Sequence, residues 1–217
     1  EKFFSKTGMS LALQRSILPE KLIFPAETFE MVSKWQRKSP NTSLEIHKND
    51  IMFLFSLHHH YGNWEEALDE YFTTGHEMAQ ALATKANEHS QDIQSVLDFG
   101  SGYGRVSRFF PSVFTQAKVW VSEVKQQSLD FQREQFSFNT IDHTEDPSSF
   151  NNSKKFDLIF AGSVFTHLPE NRFIEWLKIL ISSLSENGIL IFSCHNLLDL
   201  QGPSKGRFAF IEHSELI

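Results

Sequence analysis

The sequence predicts an α/β fold, in which an open and mostly parallel sheet follows a helical N-terminal extension. Three observations predict it: the first 90 residues have mainly helical patterns, short apolar segments alternate with helical ones from residue 94 onwards, and the first such segment runs into a glycine-rich turn. Strands that alternate with helices are typical of parallel sheets with right-handed crossovers.

The N-terminal part is predicted to consist of short helices and turns. Three prolines break its first stretch into pieces. Asn49-Asp50 precedes an apolar segment from Ile51 and is expected to cap a buried helix. From Trp64 to His89 apolar residues recur at helical spacing, and Gly75 is expected to divide this stretch into two helices.

The second part has short apolar segments that we expect to be strands: 95–99, 118–123, 138–143, 156–161 and 188–194. Helices are predicted between them at 103–110, where Pro111 helps to end the helix, at 126–136 and at 173–184. The last helix has the clearest apolar face, with apolar residues at steps of three and one. Asn187-Gly188 is expected to stop it.

Composition excludes some classes of function. The net charge of −7 disfavours a non-specific nucleic-acid partner, which needs a basic surface. Apolar runs are too short to span a membrane, and the first residues lack the apolar core of a signal peptide. Cys194 is the only cysteine, which rules out a disulfide within the chain and is consistent with a reducing cytoplasm. We therefore expect a cytoplasmic protein with no membrane or nucleic-acid partner.

The turn after the first predicted strand contains Gly100, Gly102 and Gly104. In open α/β sheets this turn contacts ligands, although glycine-rich turns also occur in purely structural roles. The spacing departs from the dinucleotide pattern G-x-G-x-x-G, because the third glycine comes one residue early. Asp98 lies two residues before the first glycine, where its carboxylate would repel a pyrophosphate and attract a cationic ligand.

The pattern D-x-G-x-G-x-G resembles motif I of the class I S-adenosylmethionine-dependent methyltransferases, and the resemblance extends from Tyr71 to Asn196. It implies a Rossmann-like fold with S-adenosylmethionine as cofactor, bound by the three glycines and Asp98. Glu123 ends the second predicted strand, where the family's acidic residue holds both ribose hydroxyls.

The resemblance implies further cofactor contacts. Thr73 and Gly75 would contact the carboxylate of the methionine end, and Ser163 and Val164 would line the cofactor after the fourth strand.

A loop after the third strand would contact the adenine. It corresponds to residues 143–145, with Thr144 as the candidate contact, and its acidic residue stays open between Asp142 and Glu145.

Methyl transfer from a sulfonium needs alignment and exclusion of water more than a covalent nucleophile. A general base is needed for some acceptors, and His167 and His195 are the candidates, each just beyond a predicted strand. Both are also compatible with a packing or capping role. No metal is expected at the run His58–His60, because consecutive residues on a helix point in different directions.

We expect residues 1–70 to form a helical extension or cap and residues 71–217 to form the cofactor-binding domain. The family's sheet has two further strands, but 197–217 has room for at most one short strand, so the C-terminal strands look incomplete. The chain is therefore compatible with being part of a longer polypeptide.

The leading hypothesis is methyl transfer to a small-molecule acceptor; the alternative is a non-catalytic cofactor-binding or assembly module. A nicotinamide oxidoreductase is disfavoured by Asp98 and the glycine spacing.

Overall fold

The computed structural model describes residues 22–89, 92–142, 144–150 and 152–194. The helices are α1 (Phe29–Lys38), α2 (Ile51–His59), α3 (Trp64–Glu88), α4 (Phe110–Val113), α5 (Gln126–Phe136) and α6 (Glu170–Ser182). The strands are β1 (Ser95–Phe99), β2 (Lys118–Glu123), β3 (Asn139–Asp142), β4 (Phe156–Ala161) and β5 (Leu184–Phe192).

The five strands form one parallel sheet in the order β3-β2-β1-β4-β5. This confirms the predicted α/β class with an open, Rossmann-like sheet. The chain moves outward in one direction from β1 to β3 and then crosses to the other side of β1 with β4. Ligands of such sheets bind at the carboxyl ends of the strands at this switch point. Residues 197–217, where at most one further short strand was expected, lie outside the described residues.

The predicted cap of the apolar N-terminal helix is confirmed. Asp50 precedes α2, and its Oδ1 accepts hydrogen bonds from the backbone N–H groups of Met52, at 3.0 Å, and Phe53, at 3.3 Å. These two bonds satisfy donors that the first turn of a helix leaves without partners.

The prediction that Gly75 divides the stretch after Trp64 is wrong, since α3 continues through it for 25 residues. Gly75 is buried, and a Cβ built on it would lie 2.0 Å from the carbonyl oxygen of Arg105. Glycine is thus required by close packing and is tolerated inside the helix. The proposed division after residue 70 falls within α3 and stays a prediction.

One hydrophobic core joins the N-terminal helices to one face of the sheet, with Trp35, Phe53 and Phe72 in the same buried cluster as Val96 and Val121. A second cluster covers the opposite face, where Trp176 of α6 packs against Phe99 and Phe150. The carboxyl edge of β1 therefore lies between two packed layers.

Predicted boundaries are wrong for two helices, and the strand predicted at 188–194 is observed as β5 (Leu184–Phe192). The helix expected at 103–110 is replaced by turns, a 3₁₀ turn at Ser107–Phe109 and then α4, so Pro111 lies in the first turn of a helix instead of ending one. The first turn tolerates proline because its N–H groups have no partner in the helix.

The second wrong boundary is at Gly188, which lies inside β5 and does not stop α6. The pairing of β4 with β5 shifts between Phe156 and Leu158, and a Cβ on Gly188 would be 2.5 Å from the carbonyl oxygen of Phe156. Glycine in a strand often marks such an irregularity.

Among the described residues, no helix is both long enough and apolar enough to cross a membrane.

Candidate functional site

The glycine loop, residues 100–105, connects β1 to the turns before α4. Gly100, Gly102 and Gly104 all have positive φ angles, of 73°, 56° and 78°. Side chains with a Cβ rarely adopt this conformation, which explains the three glycines. The N–H groups of Gly100 and Ser101 donate to the carbonyl oxygen of Ser122 at 2.8 and 3.2 Å, so the loop is fixed to the end of β2.

The three glycines differ in what surrounds them. A Cβ on Gly100 would lie 2.3 Å from Val164 Cγ2, and one on Gly104 would lie 2.8 Å from Phe136 and 2.9 Å from Gln132. A Cβ on Gly102 would meet no atom within 4 Å. Gly100 and Gly104 are therefore explained by packing, whereas Gly102 presents an open backbone surface.

Glu123 ends β2 beside that surface. Its Oε2 accepts a hydrogen bond from the Gly102 N–H at 3.0 Å, and its Oε1 accepts from the N–H groups of Val124, at 2.8 Å, and Lys125, at 3.3 Å. These bonds fix the orientation of the carboxylate. Because a carboxylate has about four acceptor positions, it keeps capacity for a ligand hydroxyl.

Asp98 lies near the end of β1 and is 3% exposed. Burial raises the pKa of its carboxyl group to about 7; a hydrogen bond with Ser107 acts in the opposite direction, and the charge of Glu123 raises it further. The charge of Glu123 thus favours the protonated form of Asp98 at this edge. A cationic ligand would favour its ionised form.

Gln132 of α5 supports the loop, and the sequence patterns did not identify it. Its Nε2 donates to Ser101 Oγ at 2.8 Å and to the Gly102 carbonyl oxygen at 2.9 Å, and its Oε1 accepts from Ser107 Oγ at 3.2 Å. The side chain is fully buried. The sequence feature that could have identified Gln132 is its position next to Phe131, on the buried side of a helix whose other face is charged.

Arg108 is the second residue that sequence analysis missed. It is 2% exposed, its Nε donates to the Gly104 carbonyl oxygen at 2.9 Å, and its Nη1 donates to the Glu45 carbonyl oxygen at 3.0 Å. Its Nη2 donates to Tyr71 Oη at 3.1 Å, and Tyr71 donates in turn to Asp50. Burial raises the pKa of Tyr71 well above its usual value, so its phenol stays protonated. This network joins the glycine loop to the N-terminal segment.

The segment predicted to close over the methionine end lies within α3. Tyr71 is used in the buried network and Gly75 packs against Arg105. Thr73, which lies between these two residues in the sequence, is half-buried. Packing explains Gly75 fully, and cofactor contacts of Thr73 and Gly75 stay predictions.

The loop after β4 approaches the glycine loop through Val164, which packs on Gly100. Ser163 has a φ angle of 60°, and its N–H donates to Ser193 Oγ at 2.7 Å. His167 ends the following 3₁₀ turn and is half-exposed.

The remaining predicted contacts lie in other parts of the chain. Thr144 is exposed, and its hydroxyl and its N–H both bond to Ser149 Oγ. His195 lies outside the described residues. The structure therefore brings together Asp98, Glu123, the three glycines and Val164, whereas cofactor contacts of Ser163 and Thr144 and catalysis by the two histidines stay predictions.

Comparison with known proteins shows what this part of the chain is similar to. Residues 97–190 match the family model described as a methyltransferase domain. No curated protein matches the chain.

Solved structures with similar folds include an S-adenosylmethionine-dependent methyltransferase from Clostridium acetobutylicum (20% identity, TM-score 0.46, 52% of this chain and 48% of that one). Another is an amino pentose methyltransferase from Micromonospora echinaspora with bound S-adenosylmethionine (20% identity, TM-score 0.47, 54% and 49%). A third is a sugar N-methyltransferase from a Streptoalloteichus species (15% identity, TM-score 0.48, 58% and 51%).

The aligned part spans about half the length of each of these structures. The matched region of the family model begins in β1 and ends in β5, so it includes the glycine loop, Glu123 and the loop after β4. Residues 97–190 of this chain are therefore similar to the methyltransferase domain family.

Proposed function

We infer that the protein transfers a methyl group from S-adenosylmethionine to a small-molecule acceptor. The observation that carries the inference is the open backbone surface at Gly102, which lies directly beside the Glu123 carboxylate at the switch point of the sheet. The match of residues 97–190 to the methyltransferase domain model supports methyl transfer as the reaction. The net charge of −7 disfavours a nucleic-acid acceptor and leaves small molecules and proteins as the acceptor classes.

The described residues fit this cofactor. Gly102 leaves room that a side chain would fill, and Glu123 keeps acceptor capacity for a ribose hydroxyl. The buried carboxyl of Asp98 favours a ligand with positive charge over a pyrophosphate, which would add negative charge beside two acidic groups.

S-adenosylmethionine supplies a methyl group on a sulfonium, which is a good leaving group. The task of the protein is then to hold and align the ligand and to exclude water. Glu123 would hold the ribose, the glycine loop would permit close approach of the ligand, and the positive charge of the ligand would favour the ionised form of Asp98. His167, at the end of the turn after β4, is the described candidate for accepting a proton from an acceptor hydroxyl or amine.

Calorimetric titration with S-adenosylmethionine and S-adenosylhomocysteine tests the binding site. Gly102→Val should abolish binding, because its side chain fills the open surface. Gly62→Val is the matched control: Gly62 also has a positive φ angle, of 85°, and a Cβ added to it would meet no atom within 4 Å, but it lies in the turn between α2 and α3. Binding that survives Gly102→Val, or that both variants lose equally, would contradict the proposed site.

Turnover distinguishes the enzyme from the alternative module. Release of S-adenosylhomocysteine with a panel of amine, hydroxyl and sugar acceptors supports the proposal. Saturable cofactor binding without product across that panel would support a non-catalytic module. Binding of NADH with no binding of S-adenosylmethionine would instead support an oxidoreductase.

A further inference from the structure

Two of the three consecutive histidines converge with an acidic residue away from the glycine loop. One ligand atom from each of His59, His60 and Glu70 lies within 4.8 Å of the others. The histidines stand at the end of α2, and Glu70 lies in the second turn of α3. This group, the His59–His60–Glu70 cluster, plays no part in the site described above.

The end of α2 explains why adjacent histidines can converge. His59 is the last helical residue, and His60 is the cap, with φ −87° and ψ 20°. Tyr61 and Gly62 then adopt positive φ angles of 54° and 85°, which reverse the chain into α3. Neighbours within a helix diverge, but this pair does not, because the second histidine has already left the helix.

The surroundings of His60 resemble those of a histidine prepared to bind a metal ion. Its Nδ1 lies 3.1 Å from Glu66 Oε2, and its Nε2 lies 3.0 Å from Glu70 Oε2. A neutral imidazole has one N–H and can donate to only one of these carboxylates. If Nδ1 donates to Glu66, Nε2 presents a lone pair toward Glu70. A carboxylate that accepts from the second nitrogen of a ligating histidine is the usual outer partner in metal sites.

Glu70 is also held in place. Ser56 of α2 donates from its hydroxyl to Glu70 Oε2, the oxygen that faces His60. The 3.0 Å between that oxygen and His60 Nε2 is close to the roughly 3.3 Å between two ligand atoms of a tetrahedral zinc ion. His60 is 23% exposed and Glu70 is 45% exposed, so an ion can enter from solvent and keep water as a further ligand.

The geometry points to a binding site for a divalent transition metal ion, such as Zn²⁺, formed by His59 and His60 imidazole nitrogens and the Glu70 carboxylate, with Glu66 orienting His60. Two imidazoles and one carboxylate form a ligand set that zinc accepts, with water in the fourth position. The ion would join the end of α2 to α3 across a four-residue turn. The site would be separate from the glycine loop, and with water as its fourth ligand it would be open to solvent.

The test uses the full chain, freed of metal with a chelator and titrated with zinc chloride by calorimetry. We expect one saturable site per chain and a higher melting temperature with zinc. His59→Ala and Glu70→Gln should abolish that site, and Glu66→Gln should weaken it about 10-fold. His58→Ala is the matched control, because His58 belongs to the same run but not to the cluster. It should bind zinc like the unaltered chain.

Replacing zinc with cobalt(II) provides a spectroscopic signature, since a tetrahedral Co²⁺ site absorbs strongly in the visible region. Zinc binding that persists in both His59→Ala and Glu70→Gln, equal loss in His58→Ala, or no saturable binding would overturn the proposal. The last result would leave only surface hydrogen bonds between His60 and its two carboxylates. Melting temperatures of the metal-free variants, compared with the unaltered chain, show that any loss does not come from unfolding.

Discussion

At the scale of single residues, Asp98 is an ionisable side chain whose burial disfavours its charged form. It is a carboxylic acid with 3% exposure, a neighbouring carboxylate and a pKa raised to about 7. Asp98 could be identified as a candidate from the sequence because it lies two residues before Gly100. Its burial depends on residues far along the chain and was not visible.

The raised pKa has a defined effect on stability. The folded state favours the protonated form, so Asp98 does not destabilise below its ordinary pKa of 3.8, and its cost grows as the pH rises toward about 7. At pH 8 the cost is on the order of 4 kcal/mol as an upper bound. Asp98→Asn should therefore stabilise the protein at pH 8 and have much less effect near pH 4, as measured by urea unfolding.

The exposed Asp142, at the end of β3, provides the control, and Asp142→Asn should show no such pH dependence. An Asp98→Asn effect that is the same at both pH values would show that the carboxyl group is not buried as described.

The glycines of the loop allow a second prediction. Gly100→Ala should destabilise much more than Gly102→Ala, because its Cβ would lie 2.3 Å from Val164, whereas Gly102 has open space. Both variants carry the conformational cost of a positive φ angle, about 1 kcal/mol. Thermal unfolding measures the difference. Equal destabilisation would mean that Val164 can move away at little cost.

At the scale of secondary structure, strands were predicted better than helices. β1, β2 and β4 were predicted with their observed bounds, because each is a short apolar segment with polar flanks. The predictions at Gly75 and Gly188 were wrong, because both glycines were interpreted as ends of helices. Both instead pack closely against a carbonyl oxygen of another segment. Local propensity cannot distinguish a glycine that ends an element from one that permits close approach.

Gly75→Ala separates these two interpretations. Alanine favours a helix by about 1 kcal/mol over glycine, so a glycine without packing constraints should be stabilised by the change. We expect the opposite, a loss of about 2 kcal/mol, because the new Cβ would overlap the Arg105 carbonyl group. Urea unfolding gives the sign.

Thr84→Ala serves as the comparison, since Thr84 is exposed on the same helix and reports helix propensity without burial. If Gly75→Ala stabilises the protein as Thr84→Ala does, the close approach to Arg105 is wrong.

At the scale of the whole molecule, Arg108 connects parts of the chain that the sequence assigned to separate regions. Its guanidinium group bonds to the carbonyl oxygens of Gly104 and Glu45 and to Tyr71 Oη. These partners lie up to 63 residues away, which no local pattern can reveal. The glycine loop, Asp98 and Glu123 were predictable because each lies at or beside the end of a strand. Arg108 and Gln132 were not, because folding alone defines their partners.

Arg108→Lys should destabilise the protein by about 2 kcal/mol, since an ammonium group cannot reach acceptors on three sides and cannot replace all of these hydrogen bonds. Arg133→Lys is the control, because Arg133 is 49% exposed and its pair with Asp130 contributes little. Denaturant unfolding measures both. A loss in Arg108→Lys no larger than in Arg133→Lys would contradict a central role for the network.

The same guanidinium group bears on how the chain can be divided. An expression fragment that starts at Tyr71, where the family resemblance begins, would lack the Glu45 carbonyl group and Asp50, and a permanently charged group would face an opened interior. Such a fragment would retain the family signature and lose a support of its ligand loop. We therefore expect the minimal folding unit of this protein to be longer than its recognisable motif.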